Sequence, residues 1–485
     1  MKKNIRNVVL VIPNGLWAGT RSFNMHPYSV CLLASVIEKR YNVSIVDANL
    51  ENYTIQETIK VIFSFSPDVI GISTMSIEYA ESSNTLINAI KSTSKEVIVI
   101  NGGVHPTVMP DYCLKNKNID FIVMSEGEER FIKLLNVIEG NGDLGKIDGI
   151  GYTKNNKTII NAHKHYITNL SNLPFPSYNL VNYEKYSYRH NKYSLYNNPR
   201  YLPYAVTIST RGCPFNCIFC SSKTIQGSKC RMRSSSNVLQ EIDWLVEHYG
   251  IREIIFLDDN LLFNRKRFIE ILDGLIERKY DLHWKATNVP IFALDSDLLE
   301  LMKKSGCYQV TLPIESGNQL VVSNIIQKPL KLDHAVTIIK EAKRLEYEIA
   351  CLFVIGLPGE TWDQIMETVN FAGDIDVDWV VFSLATPLPN THLYEISKSK
   401  GYLDPNFSFT NFNYFGFGKG TIQTDEFSPH ELQMIRALEW DRINFKTEKK
   451  RQKIALMNSL TMEELKQWRF ATKKNIGESI RLNTN

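Results

Sequence analysis

The sequence predicts an α/β protein made of two parallel-sheet units and a helical C-terminal region. Short β-branched runs alternate with helix-period stretches over the first 150 or so residues, the alternation restarts near Tyr204, and beyond residue 395 the strand pattern stops. A chain of 485 residues holds two to four domains. Its 55 Lys+Arg against 52 Asp+Glu leave a charge of +3, and 44% hydrophobic with 22% charged residues is ordinary globular composition, which argues against a disordered or polyanion-binding chain. The N-terminal apolar run is too short for a signal peptide, and the longest uncharged stretches, such as 379–394, are too short for a membrane span and contain prolines. A soluble cytoplasmic enzyme without a membrane span is expected.

In the first part the strand candidates are 7–12, 42–47, 69–73, 97–101 and 121–124, apolar enough to be buried on both faces as parallel strands are. Between them, 28–39 and 55–65 carry apolar residues at helical spacing. Five such strands predict a flavodoxin-like (Rossmann-type) domain over residues 1–148. Residues 149–200 turn rich in Asn, Tyr and Pro, with eight tyrosines from Tyr178 to Tyr204, and read as an extended connector. The strands 205–209, 253–257, 282–287, 309–314, 349–355 and 379–385, with helices between, predict a partial (β/α)6 TIM-type barrel over 201–395. In 396–485, Ser428 with Glu431 and Thr461 with Glu464 fit capping boxes, so this region is expected to be mostly helical.

Three of the eight cysteines are clustered. Cys213, Cys217 and Cys220 form C-x3-C-x2-C directly after the first barrel strand. Three thiolates on one short loop can ligate three irons of a cubane and leave the fourth open for chemistry. A structural zinc ion wants four closed ligands, and Cys230, the nearest further cysteine, lies beyond a Lys- and Ser-rich stretch.

At these residues the chain resembles the radical S-adenosylmethionine (SAM) superfamily. The resemblance implies a 4Fe-4S cluster on Cys213, Cys217 and Cys220, with S-adenosyl-L-methionine on the open iron, cleaved by an electron from the cluster to a 5′-deoxyadenosyl radical. It extends to Asp258 and Asp259 at the end of the second strand, which implies polar cofactor-binding residues at the mouth of the barrel, and to Ile314-Glu315-Ser316-Gly317 at the fourth, which implies contacts to the methionyl or ribose part. Ile355-Gly356-Leu357-Pro358-Gly359-Glu360 after the fifth strand implies a turn near the adenine. Pro387-Leu388-Pro389-Asn390-Thr391 departs from the family's P-x-P-G-T by an Asn that also tolerates positive φ.

The N-terminal domain resembles that of the cobalamin-binding branch, through Pro27-Tyr28-Ser29-Val30-Cys31-Leu32-Leu33-Ala34, Gly102-Gly103-Val104-His105-Pro106-Thr107 and Ser125-Glu126-Gly127-Glu128-Glu129. This implies a cobalamin near Gly102, Gly103 and His105 at the carboxyl ends of the strands. D-x-H-x-x-G, the histidine-on motif, is absent from residues 1–150, so the lower axial position is expected to be open or filled by something other than that histidine.

The resemblance points to a cobalamin-dependent radical SAM methyltransferase acting on an unactivated carbon or a phosphorus centre of a small-molecule or peptide substrate, with an electron donor such as flavodoxin or ferredoxin. Ring formation or rearrangement with the same cofactors is an alternative. An RNA-modifying methylthiotransferase would want a second cysteine triplet in the N-terminal half, which is missing, and no nucleic-acid partner is expected; a non-catalytic sensor would not need an open cluster. The one basic block, 446–453, reads as a solvated helix face. The C-terminal region and the Tyr-rich connector are the expected sites of substrate-specific contacts.

Overall fold

The computed structural model describes residues 3–19, 25–192, 198–409 and 419–482, with side chains to 473. The chain divides into two compact units, one of residues 1–186 with 224–227 and one of 187–223 with 228–485.

The first unit is built on a seven-stranded sheet. Its strands are β1 (Asn7–Ile12), β2 (Asn42–Asp47), β3 (Val69–Ser73), β4 (Ile98–Gly102), β5 (Phe121–Val123), β6 (Ile150–Lys154) and β7 (Lys157–Asn161), in the order β2-β1-β3-β4-β5-β6-β7. The five predicted strands pair in parallel in the doubly wound order, and both faces are buried. Alternation along β1 shows why. Val8, Leu10 and Ile12 pack with Val30, Ala34, Phe131 and Leu134 of helices Tyr28–Ile37 and Gly127–Ile138, while Val9 and Val11 pack on the other face with Ile62, Leu86 and Ile90. Helix Ile55–Ser64 starts where Thr54 and Glu57 form a reciprocal capping box.

The connector reading of 149–200 needs correction. Residues 150–161 form the hairpin β6–β7, added antiparallel to β5, and the unit runs on to Tyr186. The tyrosines explain the continuation: Tyr178, Tyr183 and Tyr186 are buried around the His26 ring, with centroids 6.1, 5.0 and 5.6 Å away, and the Tyr186 hydroxyl donates to Asp47 at 2.5 Å. These residues anchor the chain to the sheet and are not free for a substrate. Tyr193 and Tyr196 lie outside the described residues.

In the second unit, β8 (Tyr204–Thr207), β11 (Glu253–Phe256), β12 (His283–Ala286), β13 (Cys307–Glu315), β14 (Glu348–Ile355) and β15 (Trp379–Leu384) form one parallel sheet in sequence order, as the partial barrel requires. Two short strands, β9 (Thr210–Arg211) and β10 (Arg231–Met232), pair antiparallel in a separate ribbon. The edge strand β15 is covered by the C-terminal region. Asn444, fully buried in helix Pro429–Asn444, accepts from Val380 N at 2.8 Å and donates to Val380 O at 2.9 Å, and Arg436 donates to Phe382 O at 2.8 Å. Side chains thus take the bonds that a bare edge would offer to another strand.

Helices Glu448–Met457 and Met462–Leu482 complete the helical tail, and both expected capping boxes are present. The basic block is not a simple solvated face: Lys446 and Lys450 pair with Asp376 and Lys453 with Asp378, the acidic residues just before β15. Among the described residues no helix is long and apolar enough to cross a membrane.

Candidate cofactor centre

The three clustered cysteines sit on a loop that leaves the sheet after β8 and is closed at its base by the β9–β10 ribbon, in which Arg211 faces Arg231 and Thr210 faces Met232. Gly212 takes φ +84°, a turn into the loop open to glycine at little cost, and its N–H donates to Asp259 Oδ2 at 2.8 Å. Farther along, Cys220 N donates to Cys217 O at 3.0 Å, and Ile218 O accepts from Leu393 N at 2.9 Å, tying the loop to helix His392–Ser399 after β15. Cys213 and Cys217 are half-buried and Cys220 is exposed.

Burial raises the Cys213 and Cys217 thiol pKa values, that of Cys217 to about 12, and the neighbouring thiols and the Glu315 carboxylate push the Cys217 value further against a partial offset from Lys328. Such a group resists carrying three negative charges unless a positive core sits among them. Among the described residues no three His, Cys, Asp or Glu side chains stand close enough to hold a single metal ion. Three soft donors spread over one loop suit a polynuclear iron–sulfur core, so the residues present fit the group that the motif implies.

Asp258 and Asp259 follow β11 and serve the loop. Asp258, buried, accepts from Ser209 N at 3.1 Å and Ser209 Oγ at 2.6 Å, and Asp259 holds Gly212. Burial raises both carboxyl pKa values, and these hydrogen bonds draw them back. Direct cofactor contact was expected of them; what the geometry displays is support beneath the cysteines.

Glu315 sits where β13 shifts register against β14, with φ +75°, a left-handed conformation rare for a glutamate. The shift and the turn re-aim its side chain. Its Oε1 accepts from Lys328 Nζ at 2.8 Å, and Lys328 also donates to Pro313 O at 2.5 Å, after a π-helical stretch, Val321–Ile326, that ends at Gln327 with φ +63°. Lys328 carries no motif of its own and lies 13 residues away in sequence, so sequence reasoning missed it.

The adjoining motif residues do packing work. Ser316, fully buried, is 2.8 Å from Thr368 Oγ1, Gly317 N donates to the same oxygen at 3.0 Å, and a Cβ on Gly317 would come within 2.5 Å of Phe371. Gly356, at φ +84°, would bring a Cβ to 2.4 Å from Leu432 of the C-terminal region. Its N–H and that of Leu357 donate to Glu360 Oε2 at 2.8 and 3.0 Å, leaving Oε1 buried without a partner. Of the residues expected at SAM, Glu315 acts by its charge on Cys217 and Cys220, and Asp259 on Cys213 and Cys220.

In the first unit, Gly102 ends β4 and Gly103 follows at φ +102°, where a Cβ would lie 2.7 Å from Thr74 O. The turn is held by Thr74 N donating to Gly102 O at 2.8 Å and His105 N donating to Thr74 O at 3.1 Å. At Gly102 a Cβ would meet only Val123 O, at 3.7 Å, so the backbone is left open to a close neighbour at the carboxyl end of the sheet. His105 is turned inward: it is 2% exposed, its Nδ1 is 3.3 Å from Cys113 Sγ, its ring meets Tyr112 edge-on at 5.9 Å, and burial lowers its pKa to about 4. As placed, its ring nitrogens face the interior and not a ligand.

A Radical SAM superfamily model matches residues 207–372, and a B12 binding domain model matches residues 16–135. An uncharacterized methyltransferase of Pyrococcus horikoshii is 32% identical over 379 residues, 78% of this chain and 79% of its own. The chain belongs to the cobalamin-binding branch of the radical SAM superfamily. Cytidylyl-2-hydroxyethylphosphonate methyltransferase of Streptomyces wedmorensis is 27% identical over 437 residues, covering 80% of this chain and 81% of that one. In fold, this radical SAM enzyme is similar to TsrM from Kitasatospora setae, a radical SAM methyltransferase solved with cobalamin and a 4Fe-4S cluster bound. The TM-score is 0.67 at 17% identity over 82% of this chain and 76% of that one.

Proposed function

We propose that this enzyme transfers a methyl group to an unactivated carbon or phosphorus centre of a small-molecule or peptide substrate, using a 4Fe-4S cluster, SAM and a cobamide. The observation that carries the reading is the Cys213, Cys217 and Cys220 loop set at the carboxyl end of a parallel sheet with the Glu315 carboxylate beside it, on a chain that also bears a B12-binding sheet. Methyltransferases among the relatives support it. When bound, the cluster and SAM supply a hydrogen-abstracting radical and the cobamide supplies the methyl group.

The chain's own residues bind, orient and exclude water. Cys213, Cys217 and Cys220 hold the cluster. Glu315 accepts from the cationic amino group or a ribose hydroxyl of SAM, and Lys328 fixes the rotamer of that carboxylate. The Gly102–Gly103 turn offers bare backbone to the corrin edge, and with His105 buried no histidine from this turn reaches cobalt. A flavodoxin or ferredoxin supplies the electron, which fits a cytoplasmic setting.

Anaerobic turnover with methyl-labelled methionine converted to SAM tests the reading, with candidate substrates scored for label. Cys213→Ala, Cys217→Ala and Cys220→Ala should each lose nearly all reconstituted iron, while Cys230→Ala keeps it. Protein reconstituted with hydroxocobalamin should show a base-off spectrum that His105→Ala leaves unchanged. Failure to retain any cobamide defeats the methyl-transfer assignment and leaves a cobalamin-independent radical enzyme.

A further inference from the structure

The Arg267 side chain is a buried cation that no motif accounts for, and it lies under the cysteine loop. It projects from helix Arg265–Arg278, between β11 and β12, and is 7% exposed. Burying a guanidinium is unfavourable unless its donors and charge are met. Arg267 Nε donates to Arg233 O and Nη2 donates to Ser209 O at 3.2 Å, Asp258 offsets its charge, and Nη1 is buried without a partner.

Ser209 directly precedes β9 and Arg233 directly follows β10, so these two carbonyls mark where the chain enters and leaves the cysteine loop. Ser209 is bonded on every side: its N–H and Oγ donate to Asp258, and its carbonyl accepts from Arg233 N at 3.0 Å as well as from Arg267. The Arg233 side chain pairs with Glu241, fully buried, which also accepts from Thr207 Oγ1 at 2.6 Å. The ribbon itself pairs only two residues with two, too little to hold a long loop shut unaided.

We infer that Arg267 is a positioning residue for the iron–sulfur cluster: its planar fork clamps the two ends of the cysteine loop together from below and so fixes the spacing of the three thiolates. The inference rests on the cluster reading above. A lysine in its place keeps the charge but cannot span two carbonyls in a fixed geometry, so it should restore the clamp only partly.

Two measurements on the full chain separate the inference from that reading. The first is hydrogen exchange by mass spectrometry on cluster-free protein. Peptides covering 208–234 should exchange at least tenfold faster in Arg267→Gln, less so in Arg267→Lys, with β13 and β14 unchanged. The second is anaerobic reconstitution with iron and sulfide followed by a chelator chase. Arg267→Gln should release iron about tenfold faster than the parent and show shifted EPR g-values in the reduced state. Wild-type exchange in the loop together with wild-type iron release in Arg267→Gln overturns the clamp. If the parent chain takes up no cluster, the cluster reading fails while the exchange result still judges the clamp. Should Arg267→Gln fail to fold, Arg267→Lys decides, since it keeps the charge but loses the fork that reaches both carbonyls: loop exchange faster than in the parent supports the clamp and parent-like exchange overturns it.

Discussion

The two ends of the second unit's sheet treat buried charge in opposite ways. At the amino end, Lys285, Glu253, Arg200 and Glu348 form a closed set. Lys285 Nζ donates to Asn198 O at 2.6 Å, Glu253 accepts from Arg200 N, Tyr201 N and Tyr308 Oη at 2.7 to 2.8 Å, and Arg200 pairs with Glu348. At the carboxyl end, three thiols, Asp258, Asp259 and Glu315 gather with Lys328, Arg267, Arg211 and Arg231 as cations that act on them. Balanced charge closes the bottom of the sheet, whereas at the top the cations answer the carboxylates and leave three thiols whose ionised form calls for a positive cofactor core. Barrel folds divide stability and chemistry between their ends in this way.

Breaking the closed end should give the largest effect on stability and none on the cluster. Burial lowers the Lys285 pKa to about 8, offset by Glu253 and Glu348. Lys285→Met removes a buried cation and leaves the buried Glu253 short of compensation, a loss of about 3–5 kcal/mol by analogy with other broken buried pairs. Denaturant unfolding should show that loss, while iron bound per folded molecule stays at the parent value. Iron loss in the folded variant would mean that the two ends are not separable.

A second prediction sharpens the contrast at the other end. Burial raises the Glu360 pKa from 4.5 to about 7, against the pull of the Leu357 and Gly356 N–H donors. Between those values the folded chain holds a proton that the unfolded chain has released, so this group's contribution is full below pH 4.5 and lost as pH rises through about 7. The slope is about 1.4 kcal/mol per pH unit, or roughly 3 kcal/mol over the window. Glu360→Gln keeps an acceptor for both N–H groups but cannot ionise. The stability difference between parent and variant should therefore change by about that amount from pH 4.5 to 7, and a pH-independent difference rules the buried carboxyl out as its source.

Much of this architecture was legible from pattern. Both sheets, the cysteine loop and both C-terminal capping boxes follow from periodicity and spacing, because buried parallel strands and helix starts impose local rules on sequence. The hairpin β6–β7 escaped because its second strand, Lys157–Asn161, is short, has no fully buried residue and carries little apolar signal. Lys328 and Arg267 escaped for a different reason. Each acts on residues far away in the chain, Arg267 on a serine 58 positions earlier, and no local pattern encodes such a contact. Gly317 and Gly356 were placed at a cofactor by motif, yet a Cβ at either would strike Phe371 or Leu432, so their first requirement here is packing room.

The smallest effect tests the open end directly. Glu315 holds a left-handed φ of +75° while bonded to Lys328, and strain of this kind persists only where the surroundings impose it. If that carboxylate serves the cationic amino group or ribose of SAM, Glu315→Gln removes a charged hydrogen bond worth about 1.5–3 kcal/mol while keeping shape and an acceptor for Lys328. SAM affinity should fall roughly 10- to 100-fold, measured by equilibrium binding to the reconstituted enzyme, with iron content and loop exchange at parent values. Glu315→Gly relieves the backbone as well, so it should match Glu315→Gln in affinity while losing the anchor for Lys328. Loss of iron in Glu315→Gln would place the carboxylate with Asp258 and Asp259 among the supports of the loop, and unchanged affinity would leave the bulge at β13 without a ligand to explain it.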